Sequence, residues 1–371
     1  MTSSPPPRLA ASLFDGERLR QAREYRGLRK VEVARAVNLT PGAISQYESS
    51  KAKPSPPALA RLALHLGFPV EFFERRLEPT SRVDESQAHF RRLRSTSKFE
   101  RARLLVRLEL LNDVLRRIEE HVRLPAVDVP SIPVEPGDYN QVEAAALEVR
   151  QQWGLGSGPI DNVVRLLESK GIIVVRPAIG TGDVDAFSTS RLGRPLVVLG
   201  SDKDDAARSR FDAAHELGHL VMHHDSVPGS QALEQQAQRF AAAFLMPMHV
   251  IFHEIPTRMS WPKFFDLKQR WRVSLQALLY RARTLGRLSP DAYQRAQIHL
   301  TRNWGRDSEP IPLGAPEQPT LLTRALALME ERLGVTRNAI AQEANFPRRL
   351  LDDLLADAMP ATAERPEVPA G

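Results

Sequence analysis

His215 and His219, four residues apart with Glu216 beside the first, are the residues of this 371-residue chain best placed to do chemistry; they read H-E-x-x-H. Four residues of α-helix turn by about 400°, so both imidazoles leave one face a turn apart. That spacing lets both hold a single Zn²⁺ at roughly 2.0–2.1 Å. It also sets the Glu216 carboxylate where it can take a proton from an attacking water. The alternative is an amphipathic core helix with two hydrogen-bonded histidines. A zinc site needs a third protein ligand. Glu234 stands one turn before Ala237, at the head of a helical stripe of Ala237, Phe240, Ala241, Phe244 and Leu245. A carboxylate there is costly unless paired or metal-bound, which makes Glu234 the natural ligand; a solvated acid favoured by the helix dipole is the competing reading. His223 drifts about 80° around the helix from His215. It reads as support behind the ligands or as a dipole-favoured helix end, and His224 and Asp225 as solvent-facing. His249 and His253 offer oxyanion donors, with nothing to single out either. The chain has no cysteine, so disulfides, thiolate-held zinc and iron–sulfur clusters are excluded.

The elements that must position these groups are legible in outline. A helical run from Ile160 to Lys170 stops at Gly171. Three short β-branched or apolar runs follow, Gly171–Val175, Val184–Ser188 and Pro195–Leu199, with Gly180, Gly182 and Gly193 for turns, which predicts a three-stranded sheet beside the metal helix. Beyond Pro247, Trp271–Ala282 forms an amphipathic helix with Ser274 as a cap-like residue, expected to pack on the metal helix. Near the N-terminus, Phe14–Leu66 divides into short helices: Gly16–Arg23, Lys30–Val37 broken at Asn38-Leu39, a third capped by Thr40 with Pro41 at its first position and carrying Ala43–Glu48, and Pro57–Leu66. Between the halves, Phe90–Arg94 and Lys98–Val122 form a basic helical connector. Its stripe of Leu104, Leu105, Leu108, Leu111, Val114, Leu115 and Ile118 needs a partner, either the metal-binding half or a second subunit. Leu124–Tyr139 reads as a semi-rigid Pro-rich linker, Pro310–Pro319 as a second break, Leu321–Leu333 and Val335–Leu355 as a helical tail, and Pro360–Gly371 as disordered. The fold class is mainly α with a small β-sheet (α+β).

The net charge of +6 and pI near 9.8 suit a polyanionic partner without requiring one. Met1–Ala10 lacks the apolar core of a signal peptide, and no run of about eighteen apolar residues exists to span a membrane. The expected location is the cytoplasm, with no membrane partner.

Two resemblances sharpen the picture. Arg210-Phe211-x-x-Ala214-His215-Glu216-Leu217-Gly218-His219-Leu220, Glu234-x-x-Ala237-x-x-Phe240-Ala241 and Leu245-Met246-Pro247 resemble the ImmA/IrrE family of zinc metallo-endopeptidases, and the likeness extends from about Val142 to Glu309. The resemblance implies a minimal zincin domain in which His215, His219 and Glu234 hold Zn²⁺ (Mn²⁺ being the alternative ion) and Glu216 is the base. Better-known members cut a DNA-binding repressor. Many relatives carry a second acid just before the Ala; here it is Gln236, which removes a rival ligand. In zincins an edge strand pairs with the extended substrate; the expected edge here is Val184, Asp185, Ala186, Phe187 and Ser188, unless the sheet has no substrate role. Leu19-Arg20-x-x-Arg23-x-x-Arg26-Gly27, Val33-Ala34, Ile44-Ser45-x-x-Glu48, Ala60 and Leu62–Leu66 resemble the XRE/Cro helix-turn-helix repressors. Residues 14–68 hold ten Lys/Arg against five Asp/Glu, which suits DNA. The second helix of such a pair enters the major groove, so Thr40, Gly42, Ala43, Ser45 and Gln46 form the reading surface, while Arg26, Lys30, Lys51 and Lys53 reach phosphates. Relatives often have Gln where Lys30 stands, which favours backbone contact there. A small helical protein-interaction module is the alternative. Thr336–Ala341 faintly echoes a second helix-turn-helix, and a helical bundle fits the tail equally well.

The expected organisation is a disordered 1–13, a helix-turn-helix domain at 14–76, connector and linker at 77–139, a peptidase domain at 140–309 and a helical tail at 310–371. Expected partners are a double-stranded DNA operator and a protein substrate, a repressor or similar regulator. Reading of paired half-sites points to a homodimer. Two functions fit: a DNA-tethered zinc endopeptidase, or a transcription factor whose zincin fold senses peptide or metal without turnover.

Overall fold

The computed structural model describes residues 13–74, 98–177, 186–190, 192–200, 205–223, 230–305 and 309–360. Val184, Asp185, Gly180, Gly182, Phe90–Arg94, His224 and Asp225, together with 1–12 and 361–371 of the termini, lie outside the described residues. The fold is mainly α with one three-stranded sheet. No helix among the described residues is long and apolar enough to cross a membrane.

The N-terminal module comprises α1 (Gly16–Tyr25), α2 (Lys30–Ala36), α3 (Pro41–Glu48), α4 (Pro56–Leu66) and a 3₁₀ turn, Val70–Glu74. Asp15 caps α1 through the Glu17 amide, and Thr40 caps α3 through the Ala43 amide. A Cβ on Gly16 would lie 2.0 Å from the Tyr47 carbonyl, so only glycine lets α1 start against the end of α3. The connector helix α5 (Lys98–His121) follows. From Leu108 to Leu115 every residue is buried, as befits a helix enclosed on all sides. Its polar residues anchor α1: Arg18 pairs with Asp113 at 2.6 Å, and both Arg20 and Gln21 donate to Glu109.

The second half holds α6 (Tyr139–Gln152), α7 (Val163–Ser169), β1 (Ile173–Val175), β2 (Ala186–Thr189), β3 (Leu196–Leu199), α8 (Ala206–Met222), α9 (Gln231–Leu245), α10 (Met248–Glu254), α11 (Trp261–Trp271), α12 (Leu275–Thr284) and α13 (Pro290–Trp304). Sheet order is β1-β3-β2, with β3 parallel to β1 and antiparallel to β2. The strands are buried on both faces and divide two cores. Val174, Ala186, Val197 and Leu199 join the core of α6–α13, whereas Ile173, Val175, Phe187, Leu196 and Val198 join the core of the N-terminal module, α5 and the tail. The connector stripe is therefore filled within the chain, by neither a second subunit nor the peptidase helices alone. Leu124–Tyr139 is pinned rather than free: Asp128 N donates to Lys170 O and Ile132 N to Val221 O. The helix expected at Trp271–Ala282 begins later. Trp271 closes α11, Arg272 turns at φ 54°, and Ser274 caps α12. Its buried Arg281 reaches Met246 O and Glu143, so α12 leans on α9 and α6.

The tail forms α14 (Leu321–Leu328), a π-helical turn at Met329–Leu333, α15 (Arg337–Glu343) and α16 (Arg348–Ala356). α15 and α16 reproduce the backbone of α2 and α3. Asn345 (φ 55°) sits where Asn38 (φ 54°) does. Phe346 N donates to Ala341 O at 2.8 Å, as Leu39 N does to Ala34 O at 2.9 Å. This second helix-turn-helix packs on the first: Phe346 meets Phe72, and Tyr25 donates to Asp353.

Candidate functional site

α8 is capped by Asp205, whose carboxylate accepts from the Ala207 and Arg208 amides. It lies against β2 and β3 on one side and α9 on the other. Gly218 makes the second approach close: a Cβ there would come within 3.0 Å of the Phe240 ring. Ser230 caps α9 and starts it so that Glu234 falls in its first turn. The crossing unites His215, His219 and Glu234, whose ligand atoms lie within 4.8 Å of one another. His215 Nε2 is 3.1 Å from His219 Nε2, and the Glu234 carboxylate oxygens are 3.6 and 3.7 Å from the two nitrogens. Donors around a tetrahedral Zn²⁺ stand about 3.3 Å apart, so two neutral imidazoles and a carboxylate fit a divalent ion. Both histidines are buried and Glu234 partly so.

Behind this triad runs a hydrogen-bonded chain. His219 Nδ1 is 2.9 Å from His223 Nδ1, and His223 Nε2 is 3.0 Å from Gln236 Oε1. The fully buried Gln236 donates in turn to Glu135 O at 2.8 Å. Burial pushes the His223 imidazole below its ordinary pKa, which the Gln236 hydrogen bond only partly offsets. His223 thus stands behind His219 instead of simply ending the helix. Gln236, read in the sequence only as a missing acid, holds it there. The i, i+4 spacing from His219 was the one signal for this chain.

Glu216 is buried and accepts a 2.8 Å hydrogen bond from Ser188 Oγ. Ser188 belongs to β2, which lies at the edge of the sheet. Of the expected edge strand, Ala186, Phe187 and Ser188 are in β2, which continues to Thr189. Phe187 points away from the site into the other core. A serine reaching Glu216 from another element leaves no trace in local spacing. Neither extra histidine joins the triad: His249 bonds Ser157, and His253 lies exposed against Phe252. A cavity of about 1050 Å³ is lined by Arg208, Phe211, Asp212, Gln238, Tyr280 and Tyr293 among others, and by none of His215, Glu216, His219 and Glu234. Asp212 and Gln238 stand one helical turn from His215 and Glu234.

In the N-terminal module Thr40, Gly42, Gln46, Lys51 and Lys53 are exposed, and Ala43 and Ser45 half-buried, around α3. Lys30 lies 3.2 Å from both Ser45 Oγ and Glu48, and Glu48 also binds Arg23. Arg26, expected at a phosphate, is exposed and also bonded within the module. Its guanidinium donates to Leu66 O and Gly67 O, because α4 ends in a left-handed Gly67 with carbonyls left to satisfy.

Comparison with known families agrees with both halves. Residues 167–283 match the IrrE N-terminal-like domain, a metallopeptidase-type domain, and residues 16–74 match a helix-turn-helix domain. No curated protein matches the chain. The matches suggest a metal-associated domain and a DNA-binding domain; one chain joins a helix-turn-helix domain to an IrrE-like domain of the ImmA/IrrE kind.

Proposed function

We propose that the protein is a DNA-bound, metal-dependent endopeptidase that cuts a repressor or similar regulatory protein in the cytoplasm. The observation that carries this reading is the convergence of His215, His219 and Glu234, with Glu216 on the same helix and an edge strand alongside. Zn²⁺ is the expected ion, with Mn²⁺ the alternative, because the donors are imidazoles and a carboxylate. When bound, the ion supplies Lewis-acid polarisation of the scissile carbonyl and acidifies the attacking water.

The chain's own residues do the rest. The substrate lies extended along β2, held by main-chain hydrogen bonds. Glu216 takes the proton of the attacking water and passes it to the leaving amine. Ser188 holds the Glu216 carboxylate on the strand side through its 2.8 Å bond. On the other module, α3 enters the major groove. Thr40, Gly42, Ala43, Ser45 and Gln46 face base edges, and Lys30, Lys51 and Lys53 face phosphates.

The test is incubation of purified protein with Zn²⁺ or Mn²⁺ and regulators encoded near its binding sites, beside Glu216→Gln. Cleavage by the parent and loss of at least 100-fold in the variant, with metal content retained, is the expected outcome. Absence of cleavage under every metal condition, with operator binding intact, would leave the sensor reading.

A further inference from the structure

We infer that Gln236 is a positioning residue that sets the tautomer of His219, and through it which nitrogen is offered to the metal. The inference rests on the metal reading above but goes past it, to a residue outside the ligand set. The reasoning follows the direction of each hydrogen bond. The Glu135 carbonyl oxygen can only accept, so the NH₂ end of the Gln236 amide faces it, at 2.8 Å. The amide oxygen then faces His223 Nε2, at 3.0 Å. An amide oxygen also only accepts, so His223 Nε2 carries the proton. A neutral imidazole has one N–H, which makes His223 Nδ1 an acceptor. The nitrogen 2.9 Å from it, His219 Nδ1, must donate. His219 Nε2 is left with a bare lone pair, 3.1 Å from His215 Nε2 and 3.7 Å from Glu234.

The chain of hydrogen bonds therefore starts at a backbone carbonyl in the 124–139 segment and ends at the metal position, through three side chains that are nearly or wholly buried. An apolar residue at 236 would leave the His223 ring free to carry its proton on either nitrogen. With Nδ1–H, His223 would donate to His219 Nδ1 and push the His219 proton onto Nε2, where it blocks ligation. The amide at 236 selects against that arrangement. Partners of this kind behind a ligating histidine are worth about 10–100-fold in metal affinity.

The experiment has two readouts, neither of them cleavage. First, full-length apoprotein labelled with ¹⁵N-histidine is studied at about pH 8, where free imidazoles are neutral. Long-range ¹H–¹⁵N spectra should show His219 protonated at Nδ1 and His223 at Nε2. Second, Zn²⁺ alone is titrated in competition with a chelator. Gln236→Leu should bind roughly 10–100-fold more weakly than the parent, with His219 in mixed tautomers. The inference is overturned if His219 in the parent is protonated at Nε2, or if folded Gln236→Leu binds Zn²⁺ as tightly as the parent. The parent spectrum stands without any variant, so misfolding of Gln236→Leu does not remove the test. A parent that shows the expected tautomers yet binds no Zn²⁺ would sink the metal reading while upholding the tautomer assignment.

Discussion

At the scale of single residues, Glu143 shows how charge is made to hold this molecule. It lies on α6 and binds Arg239 of α9 and the wholly buried Arg281 of α12, both within 2.7 Å. Burial raises its proton affinity, but the two guanidiniums more than offset this and hold its carboxyl below the usual range. A depressed carboxylate contributes stability that is present above its unfolded pKa, near 4.3, and lost as pH falls through the lower folded value. Glu143→Ala should cost about 3–5 kcal/mol at neutral pH, because Arg281 is left buried and unpaired. Urea unfolding below about pH 4 should show the gap closing. The same scale shows what spacing reveals and what it hides. His215, Glu216 and His219 are legible because helical geometry is local, and Glu234 because an acid at the head of an apolar stripe is out of place. Arg26 is legible as a cation of the first module but not as the donor to Leu66 O and Gly67 O, since no pattern announces that α4 ends in carbonyls needing one. Ser188 and Gln236 are legible as elements of structure but not as partners of Glu216 and His223, because those bonds join side chains brought close only by folding.

At the scale of elements, the α8–α9 crossing decides whether the triad exists. Gly218→Val would force the Phe240 ring away, since even one added carbon meets it at 3.0 Å. The expected cost is about 1–3 kcal/mol in stability, with weakened Zn²⁺ binding as Glu234 withdraws from the histidines. Chelator competition and thermal melts together check this. The two helix-turn-helix units give a second contrast. In the first, the positions facing outward on α3 are small or neutral. In the second, the positions matching Ser45 and Gln46 are Asp352 and Asp353; Asp353 accepts from Tyr25, Asp352 pairs with Arg348, and Leu354 and Leu355 are buried. Acids at those positions repel phosphates, and the helix is spent on packing. Gln46→Ala should weaken operator binding by about 1–3 kcal/mol and relax specificity. Arg349→Ala on α16 should leave binding within roughly 0.5 kcal/mol, as for a surface substitution. Mobility shifts on one operator at fixed salt distinguish the two. The sequence carries the periodicity of the tail helices and a trace of this repeat, but an amphipathic face does not name its partner.

At the scale of the whole molecule, the tail and connector are not appendages. Glu317 binds Arg210 of the metal helix, and Arg107 of α5 holds Asp357 at the other end of the tail. Arg176, just past β1, donates to Ser209 and to Glu317 O, and burial lowers its guanidinium pKa to about 10. A linear reading of linkers and breaks from proline content misses this, because proline marks irregular backbone rather than loose backbone. The strands have apolar side chains on both faces and need a layer on each.

Cutting the chain after Leu124 and before Pro310, to isolate the metal-binding half, would bare Ile173, Val175, Phe187, Leu196 and Val198 to water. Such a fragment should aggregate or bind an apolar dye strongly, whereas the intact chain should unfold in one transition; a soluble, monomeric fragment would show the opposite. On the proposed function, the DNA-reading helices are fastened to the scissors without a swivel, so a protein would be cut only if it arrived in the one stance that DNA and sheet jointly permit.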